Sequence, residues 1–236
     1  MTDSFEIFPL GDSAVTIDLG NTIREDLNDK VLAMQRWLVE NSFEGYIDSI
    51  AAYSSLSAFY DPVEVGRRHP SSSSAFAFVS ERLREAYEQS AVRPAGSGEP
   101  IRIPVCYEAP LAPDLLLLAE KMERTPEEII HLHTSRVYRV YMIGFLPGFA
   151  YLGETSELLA IPRKPRPVPV NAGSVGITGR QTGIYPLDSP GGWYIIGRAP
   201  VVLFDPDLTP PARLAIGDAV EFYPITLKEF GRLHLL

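Results

Sequence analysis

A glycine-dense and locally basic segment, residues 139–205, carries the residue types best suited to binding chemistry. It holds ten of the eighteen glycines of the chain. Residues 161–200 contain five basic residues and one acidic residue, a local net charge of +4 in a chain of formal charge −9. Glycine lets the backbone approach a ligand closely, and arginine binds carboxylate or phosphate groups through paired hydrogen bonds. The segment therefore predicts a small-anion site or an interface.

A proline-rich basic run, residues 162–167, lies inside this segment. Its proline spacing favours extended backbone, which presents Arg163 and Arg166 without helical neighbours to pair with them. We predict that both arginines bind a phosphate or carboxylate group, together with Arg198 further along the segment. The alternative is a solvated loop whose charges only favour solubility.

Small polar residues accompany the glycines in two motifs, residues 171–176 and 179–183. Their backbone amides suit an oxyanion nest, and we predict hydrogen-bonding or catalytic roles for Ser174 and Gln181. Thr182 and Tyr185 are predicted to contact the substrate. The motifs match neither a phosphate-binding P-loop nor a GxSxG nucleophile elbow.

Aromatic residues flank the glycine turns. Phe145, Phe149 and Tyr151 surround the GFLPGF turn, and Trp193 follows the paired glycines of SPGGW. We predict that these four side chains form a pocket wall. The alternative is that they are core residues and the glycines serve only the turns.

His133 is the candidate general acid or base, because it follows a short helix and its ordinary pKa is close to neutrality. The alternative is a histidine whose polar atoms are satisfied inside the protein. The chain has a single cysteine, Cys106, and no HExxH motif, so no metal site is predicted.

The first part of the chain must position these residues through an α+β layer. Period-2 alternation predicts strands over residues 5–19 and 46–60, and apolar spacings of three and four predict helices from about residues 23 and 72. The order β-β-α-β-β-α is typical of an antiparallel sheet with helices on one face. We place a small N-terminal α+β domain at residues 1–94.

The second domain, predicted at residues 100–236, begins after a linker rich in proline and glycine. A strand and two short helices come first, and Thr125 and Glu128 form a predicted capping box for the second helix. Prolines and glycines then recur every few residues. Such short strands favour a small, irregular β-barrel over an open sheet.

Composition excludes several functions. The sequence pI is about 5.0, which argues against general nucleic-acid binding, and no apolar run is long enough for a membrane helix. No secretory signal is visible, so we expect a cytoplasmic protein.

Taken together, GFLPGFAYLG, the PR…PR run, AGSVGI, GRQTGIYP and SPGGW resemble the KipI family, also called the 5-oxoprolinase B-subunit family or allophanate hydrolase subunit 1. The resemblance covers nearly the whole chain. It implies a cyclophilin-like β-barrel for the C-terminal half and a separate small N-terminal domain. It also implies membership of an ATP-dependent 5-oxoprolinase, which opens 5-oxoproline to glutamate.

The partner implied by the resemblance is an allophanate hydrolase subunit 2-type protein, the C-subunit of 5-oxoprolinase, with the A-subunit protein or a histidine kinase as further candidates. No ATP-binding motif is visible in this chain, so we expect a composite site with ATP shared with a partner. The alternatives are an inhibitor that binds a sporulation-type histidine kinase and a carboxyltransferase-type module.

Overall fold

The computed structural model describes residues 5–92 and 98–233. The chain divides into two compact units, Met1–Ala95 and Gly96–Leu236. Residues 93–97 of the predicted linker lie outside the described residues, and the exact domain limits remain a prediction.

The N-terminal unit is built on a four-stranded antiparallel sheet of order β1-β2-β4-β3. Two long helices, α1 and α3, pack against each other and against the sheet, and a short helix, α2, lies between them in sequence. The elements are β1 (Glu6–Pro9), β2 (Ala14–Asp18), α1 (Glu25–Glu40), β3 (Tyr46–Ala51), β4 (Ser55–Tyr60), α2 (Pro62–Arg68) and α3 (Ala75–Gln89).

The stripe predicted for α1 forms the core of this unit. Val31, Met34 and Leu38 are fully buried, and Leu27 is half-buried. The predicted order of elements is confirmed, except that the sequence interpretation ended the second strand pair at Asp61 and missed α2. Asp61 in fact caps this helix, because its Oδ1 accepts hydrogen bonds from the next free backbone amides at 2.8 and 3.0 Å.

The C-terminal unit contains nine strands, four of them only three or four residues long between β7 and β11, and three helices. This count applies to residues 98–233. The elements are β5 (Ile101–Cys106), α4 (Leu115–Lys121), α5 (Pro126–Thr134), β6 (Val137–Ile143), β7 (Ala150–Gly153), a 3-10 helix (Glu157–Leu159), β8 (Val168–Val170), β9 (Ser174–Thr178), β10 (Gln181–Ile184), β11 (Ser189–Gly191), β12 (Tyr194–Arg198), β13 (Ala219–Ile225) and α6 (Leu227–Leu233).

Seven of these strands close into a barrel in the order β10-β7-β6-β13-β5-β12-β9, while β8 and β11 form a separate two-stranded ribbon. All pairs are antiparallel except β5 with β13, which run parallel. The predicted capping box of α5 is present. The prediction of an α+β chain with a β-barrel in its C-terminal half is therefore confirmed.

Candidate functional site

A cavity of about 230 Å³ lies in the C-terminal unit, and we call it the aromatic cavity. Three segments distant in sequence meet there: the turn after β6, the proline-rich run and the residues around β11. It is lined by Phe145, Phe149, Tyr151, Arg163, Lys164, Pro167, Tyr185, Pro190, Gly191, Gly192 and Trp193. The structure thus brings together six of the residues predicted from the sequence, including all four of the predicted wall.

Phe149 is the centre of the aromatic wall. Its ring makes edge-to-face contacts with four others, at centroid distances of 4.8 Å to Tyr151, 5.2 Å to Tyr185, 5.5 Å to Trp193 and 5.7 Å to Phe145. Phe149, Tyr185 and Trp193 are buried, while Phe145 is 61% exposed at the rim. Because edge-to-face contacts hold rings rigidly, the wall is both core and cavity lining.

Glycines let these rings pack directly on the strands. A Cβ at Gly191 would lie 2.5 Å from the Tyr185 hydroxyl oxygen, and one at Gly183 would lie 2.9 Å from the Ala150 carbonyl oxygen and 3.0 Å from Phe149 Cζ. The backbone amides of β9 and β10 pair within the barrel ladder. These glycines therefore serve ring packing, not the oxyanion nest that the sequence indicated.

Arg163 is the cation at the aromatic cavity that has no carboxylate partner among the described residues. It is exposed, and its charge acts on both cavity tyrosines. Burial raises the pKa of Tyr151 and of Tyr185, and the nearby guanidinium acts in the opposite direction. Both phenols are therefore neutral near pH 7, and Arg163 is available to an anion in the cavity.

Lys164 and Asp114 were missed by the sequence interpretation. Lys164 Nζ lies 2.6 Å from Asp114 Oδ2, and the two side chains are only 14% and 15% exposed. The same carboxylate oxygen accepts a hydrogen bond from the Ile195 backbone amide at 2.6 Å, and the Lys164 amide donates to the Gly192 carbonyl. Fifty residues separate the pair, so no local motif could have revealed it. It fixes the basic run against β12 and thereby positions Arg163.

The other predicted arginines lie apart from the aromatic cavity. Arg166 is exposed on the same run but does not line it. Arg198 lines a different cavity, also of about 230 Å³, and its Nε donates a hydrogen bond to the Ala172 carbonyl oxygen at 2.8 Å. The predicted three-arginine clamp is therefore not assembled within the C-terminal unit as described.

The predicted polar candidates also lie outside the cavity. Ser174 is buried at the start of β9, and Gln181 is half-buried at the start of β10 opposite Thr178. Thr182 is fully buried and donates a hydrogen bond to the Gly176 carbonyl oxygen at 3.1 Å. The geometry gives none of these three side chains a contact with the aromatic cavity.

His133 is fully buried, with both ring nitrogens hydrogen-bonded. Its Nε2 lies 2.8 Å from Thr182 Oγ1, and its Nδ1 lies 2.8 Å from the Tyr107 hydroxyl oxygen. Because the Thr182 hydroxyl proton is directed to the Gly176 carbonyl oxygen, Nε2 donates and Nδ1 accepts. Burial lowers the pKa of His133 to about 3. The structure favours the alternative interpretation, a neutral core histidine, over a general acid or base.

Neither a metal-binding cluster nor a membrane-spanning helix occurs in the part of the chain that the structure describes. That part contains no group of three or more histidine, cysteine, aspartate or glutamate side chains placed to hold a metal ion. None of its helices combines the length and apolar character needed to cross a membrane.

Comparison with known proteins defines the class first. Residues 5–214 match the model of the family described as carboxyltransferase domain, subdomains C and D. The B-subunit of 5-oxoprolinase from Bacillus subtilis (strain 168) is 43% identical over 98% of this chain and 97% of its own length. The corresponding protein of Escherichia coli O157:H7 is 35% identical over 91% of this chain and 94% of its own length. The chain belongs to the 5-oxoprolinase B-subunit family, as its motifs indicated.

Solved structures agree with this assignment. The crystal structure of TTHA0988 superposes on 90% of this chain with a TM-score of 0.75 and 33% identity, and the chain spans 39% of the length of that protein. The urea carboxylase of Kluyveromyces lactis superposes on 97% of this chain with a TM-score of 0.75. At 15% identity, over 22% of that chain, this second likeness shows a shared fold alone.

Proposed function

We propose that this chain is one component of an ATP-dependent 5-oxoprolinase, a hydrolase that opens 5-oxoproline to glutamate, and that its aromatic cavity holds the substrate ring. The single observation that carries the proposal is the pairing of an aromatic wall with one unpartnered arginine in a cavity of about 230 Å³. The names of the two curated relatives supply the reaction.

The cavity matches the chemistry of 5-oxoproline, a small five-membered lactam with one carboxylate. The edges and faces of Phe149, Tyr151 and Trp193 provide apolar contact for the ring carbons and exclude water from them. The Arg163 guanidinium binds the carboxylate through paired hydrogen bonds. This arrangement orients the lactam carbonyl, and orientation is a major source of rate acceleration.

ATP itself does not fit this site. Cavities for larger ligands span roughly 300–1,000 Å³, whereas the aromatic cavity has about 230 Å³ and one free guanidinium. We therefore place ATP on a partner protein and the 5-oxoproline carboxylate on this chain. The completed site would be composite, as the sequence resemblance implied for a partner of the C-subunit type.

Arg163→Ala tests this assignment in the reconstituted enzyme. We expect the KM for 5-oxoproline to rise about 10- to 100-fold, since a hydrogen bond to a charged group contributes roughly 1.5–3 kcal/mol. Arg166→Ala, on the same run but outside the cavity, is the matched control and is expected to change KM less than about twofold. The measurement is 5-oxoproline-dependent phosphate release from ATP with the cognate subunits, with and without this chain. Equal effects of the two variants would exclude the cavity as the carboxylate site, and activity without this chain would exclude the proposed function.

Phe145→Gly tests the cavity rim independently of the charge. Phe145 has a φ of +71°, in the left-handed region that costs a non-glycine residue about 1 kcal/mol. Removing the side chain relieves this strain but loses a ring contact worth about 0.5–1.5 kcal/mol. We expect the free energy of unfolding to stay within about 1 kcal/mol of the parent, while the Kd for 5-oxoproline rises about threefold or more. Urea unfolding and calorimetric titration measure the two quantities, and unchanged affinity would remove Phe145 from the site.

A further inference from the structure

A second concave surface of the C-terminal unit, of about 620 Å³, is not used by the proposed 5-oxoproline site. It lies between α4, α5 and the junction of β13 with α6, and we call it the acidic groove. Its apolar lining includes Leu115, Leu116, Ile130 and Ile225, and three carboxylates, Glu108, Glu127 and Glu229, line it as well.

Helix α4 exposes more apolar surface at this groove than its packing requires. Four consecutive leucines begin the helix; Leu115 and Leu118 are buried and hold it against the barrel. The remaining two face outward, with Leu116 73% and Leu117 42% exposed. Contiguous exposed apolar surface of this kind marks interaction sites on otherwise polar proteins.

The charges around the groove have one sign. Glu108, Glu127 and Glu229 are exposed, and no lysine or arginine occurs among the described residues that line the groove. The Thr226 backbone amide donates to Glu229 Oε2 at 2.8 Å, which lowers the pKa of that carboxyl. The Leu227 amide donates to Glu108 Oε1 at 3.2 Å. These bonds hold two of the carboxylates beside the apolar floor.

We propose that the acidic groove binds an amphipathic, basic segment of another protein, with its apolar side chains against Leu116 and Ile130 and its lysines or arginines facing the three carboxylates. A second copy of this chain is disfavoured as the occupant, because a two-fold interface would bring two acidic surfaces together. An anionic lipid surface is disfavoured for the same electrostatic reason. The proposal does not depend on the 5-oxoproline site.

A synthetic peptide provides the probe: a fluorescein-labelled amphipathic helix of leucine and lysine, about four turns long, titrated with the full chain and followed by fluorescence anisotropy. We expect micromolar binding that Leu116→Asp weakens about tenfold or more, since removing a central apolar contact commonly costs that much. Glu127→Lys is expected to weaken binding about threefold and to reduce its salt dependence. The same peptide with glutamate in place of lysine should not bind.

Matched variants separate a groove from general attraction to an acidic protein. Leu208→Asp replaces a leucine of similar exposure, 60%, outside the groove, and Glu25→Lys replaces an exposed carboxylate in the first turn of another helix. Both should bind the peptide as the parent does. Equal weakening in Leu116→Asp and Leu208→Asp, or no binding by the parent, would overturn the proposal. Concentration-dependent dimerisation of the parent that Leu116→Asp abolishes would overturn it in favour of a second copy. Amide chemical shifts in the parent, expected to move in α4, α5 and the start of α6, give a readout that needs no variant.

Discussion

Acidification below pH 6.5 is expected to destabilise the barrel unit through His133 alone by roughly 5 kcal/mol at pH 3. The size follows from the pKa of the folded state, which burial lowers from the usual 6.5 to about 3, because each unit of pKa difference corresponds to about 1.4 kcal/mol. The ring is fully buried, so solvent screening does not reduce this figure.

The direction follows from proton binding. Between pH 6.5 and 3 the unfolded chain protonates this histidine and the folded chain does not, so the unfolded state binds more protons and stability falls as the pH falls. The His133 contribution is fully present above pH 6.5. The loss is expected to approach about 1.4 kcal/mol per pH unit and to level off below pH 3.

Urea unfolding followed by Trp193 fluorescence measures this effect in the barrel, in a Trp37→Phe background that removes the other tryptophan. His133→Phe should lower stability at pH 7, because it leaves the Tyr107 hydroxyl without its partner, and should flatten the pH dependence. His131→Gln, an exposed histidine on the same helix, should leave the slope unchanged. A parent slope equal to that of His133→Phe, or a His133 proton resonance titrating near pH 6.5, would contradict the prediction.

Asp114→Ala is expected to destabilise the barrel unit by about 3 kcal/mol or more. It leaves the Lys164 ammonium largely buried without a counter-charge and removes the acceptor of the Ile195 amide. Breaking a buried ion pair from one side commonly costs about 3–5 kcal/mol, since an uncompensated charge remains. The basic run should also lose its fixed position, so affinity for 5-oxoproline should fall together with stability.

Two comparisons test the physical reason. Glu221→Ala breaks an exposed pair with Arg102 in the same unit, and exposed pairs contribute less than about 1 kcal/mol. The double variant Asp114→Leu with Lys164→Met replaces both charges by apolar groups and should recover much of the lost stability. Urea unfolding at neutral pH measures all three. A double variant as unstable as Asp114→Ala would show that the hydrogen bond to Ile195, not the buried charge, dominates.

Local signals in the sequence predicted most of the elements, because the interactions responsible act over a few residues. Alternation in β2 and β4, the stripe Val31, Met34 and Leu38 in α1, and the capping box at Thr125 each involve near neighbours. Helix α2 was missed since Asp61 and Pro62 serve equally well to end a strand and to begin a helix.

For the site, residue type predicted the aromatic wall and Arg163, because large rings beside glycines and an arginine between prolines leave few structural alternatives. Residue type misled at His133, where burial and two hydrogen-bond partners decide the protonation state. Tyr107 and Thr182, which supply those partners, are 26 and 49 residues away from it. No spacing rule relates them.

The sequence by itself determined the family, the mixed α+β character and the residue types of the candidate cavity, since these depend on composition and on short motifs. Only the tertiary structure decided which arginine reaches that cavity. Barrel closure brings β7, β10 and the basic run together, and it carries Arg198 to a different surface. The Lys164–Asp114 pair likewise exists only after the chain has closed a fifty-residue loop. Long-range packing, which no local pattern encodes, therefore selects the working site from the candidates that the sequence offers.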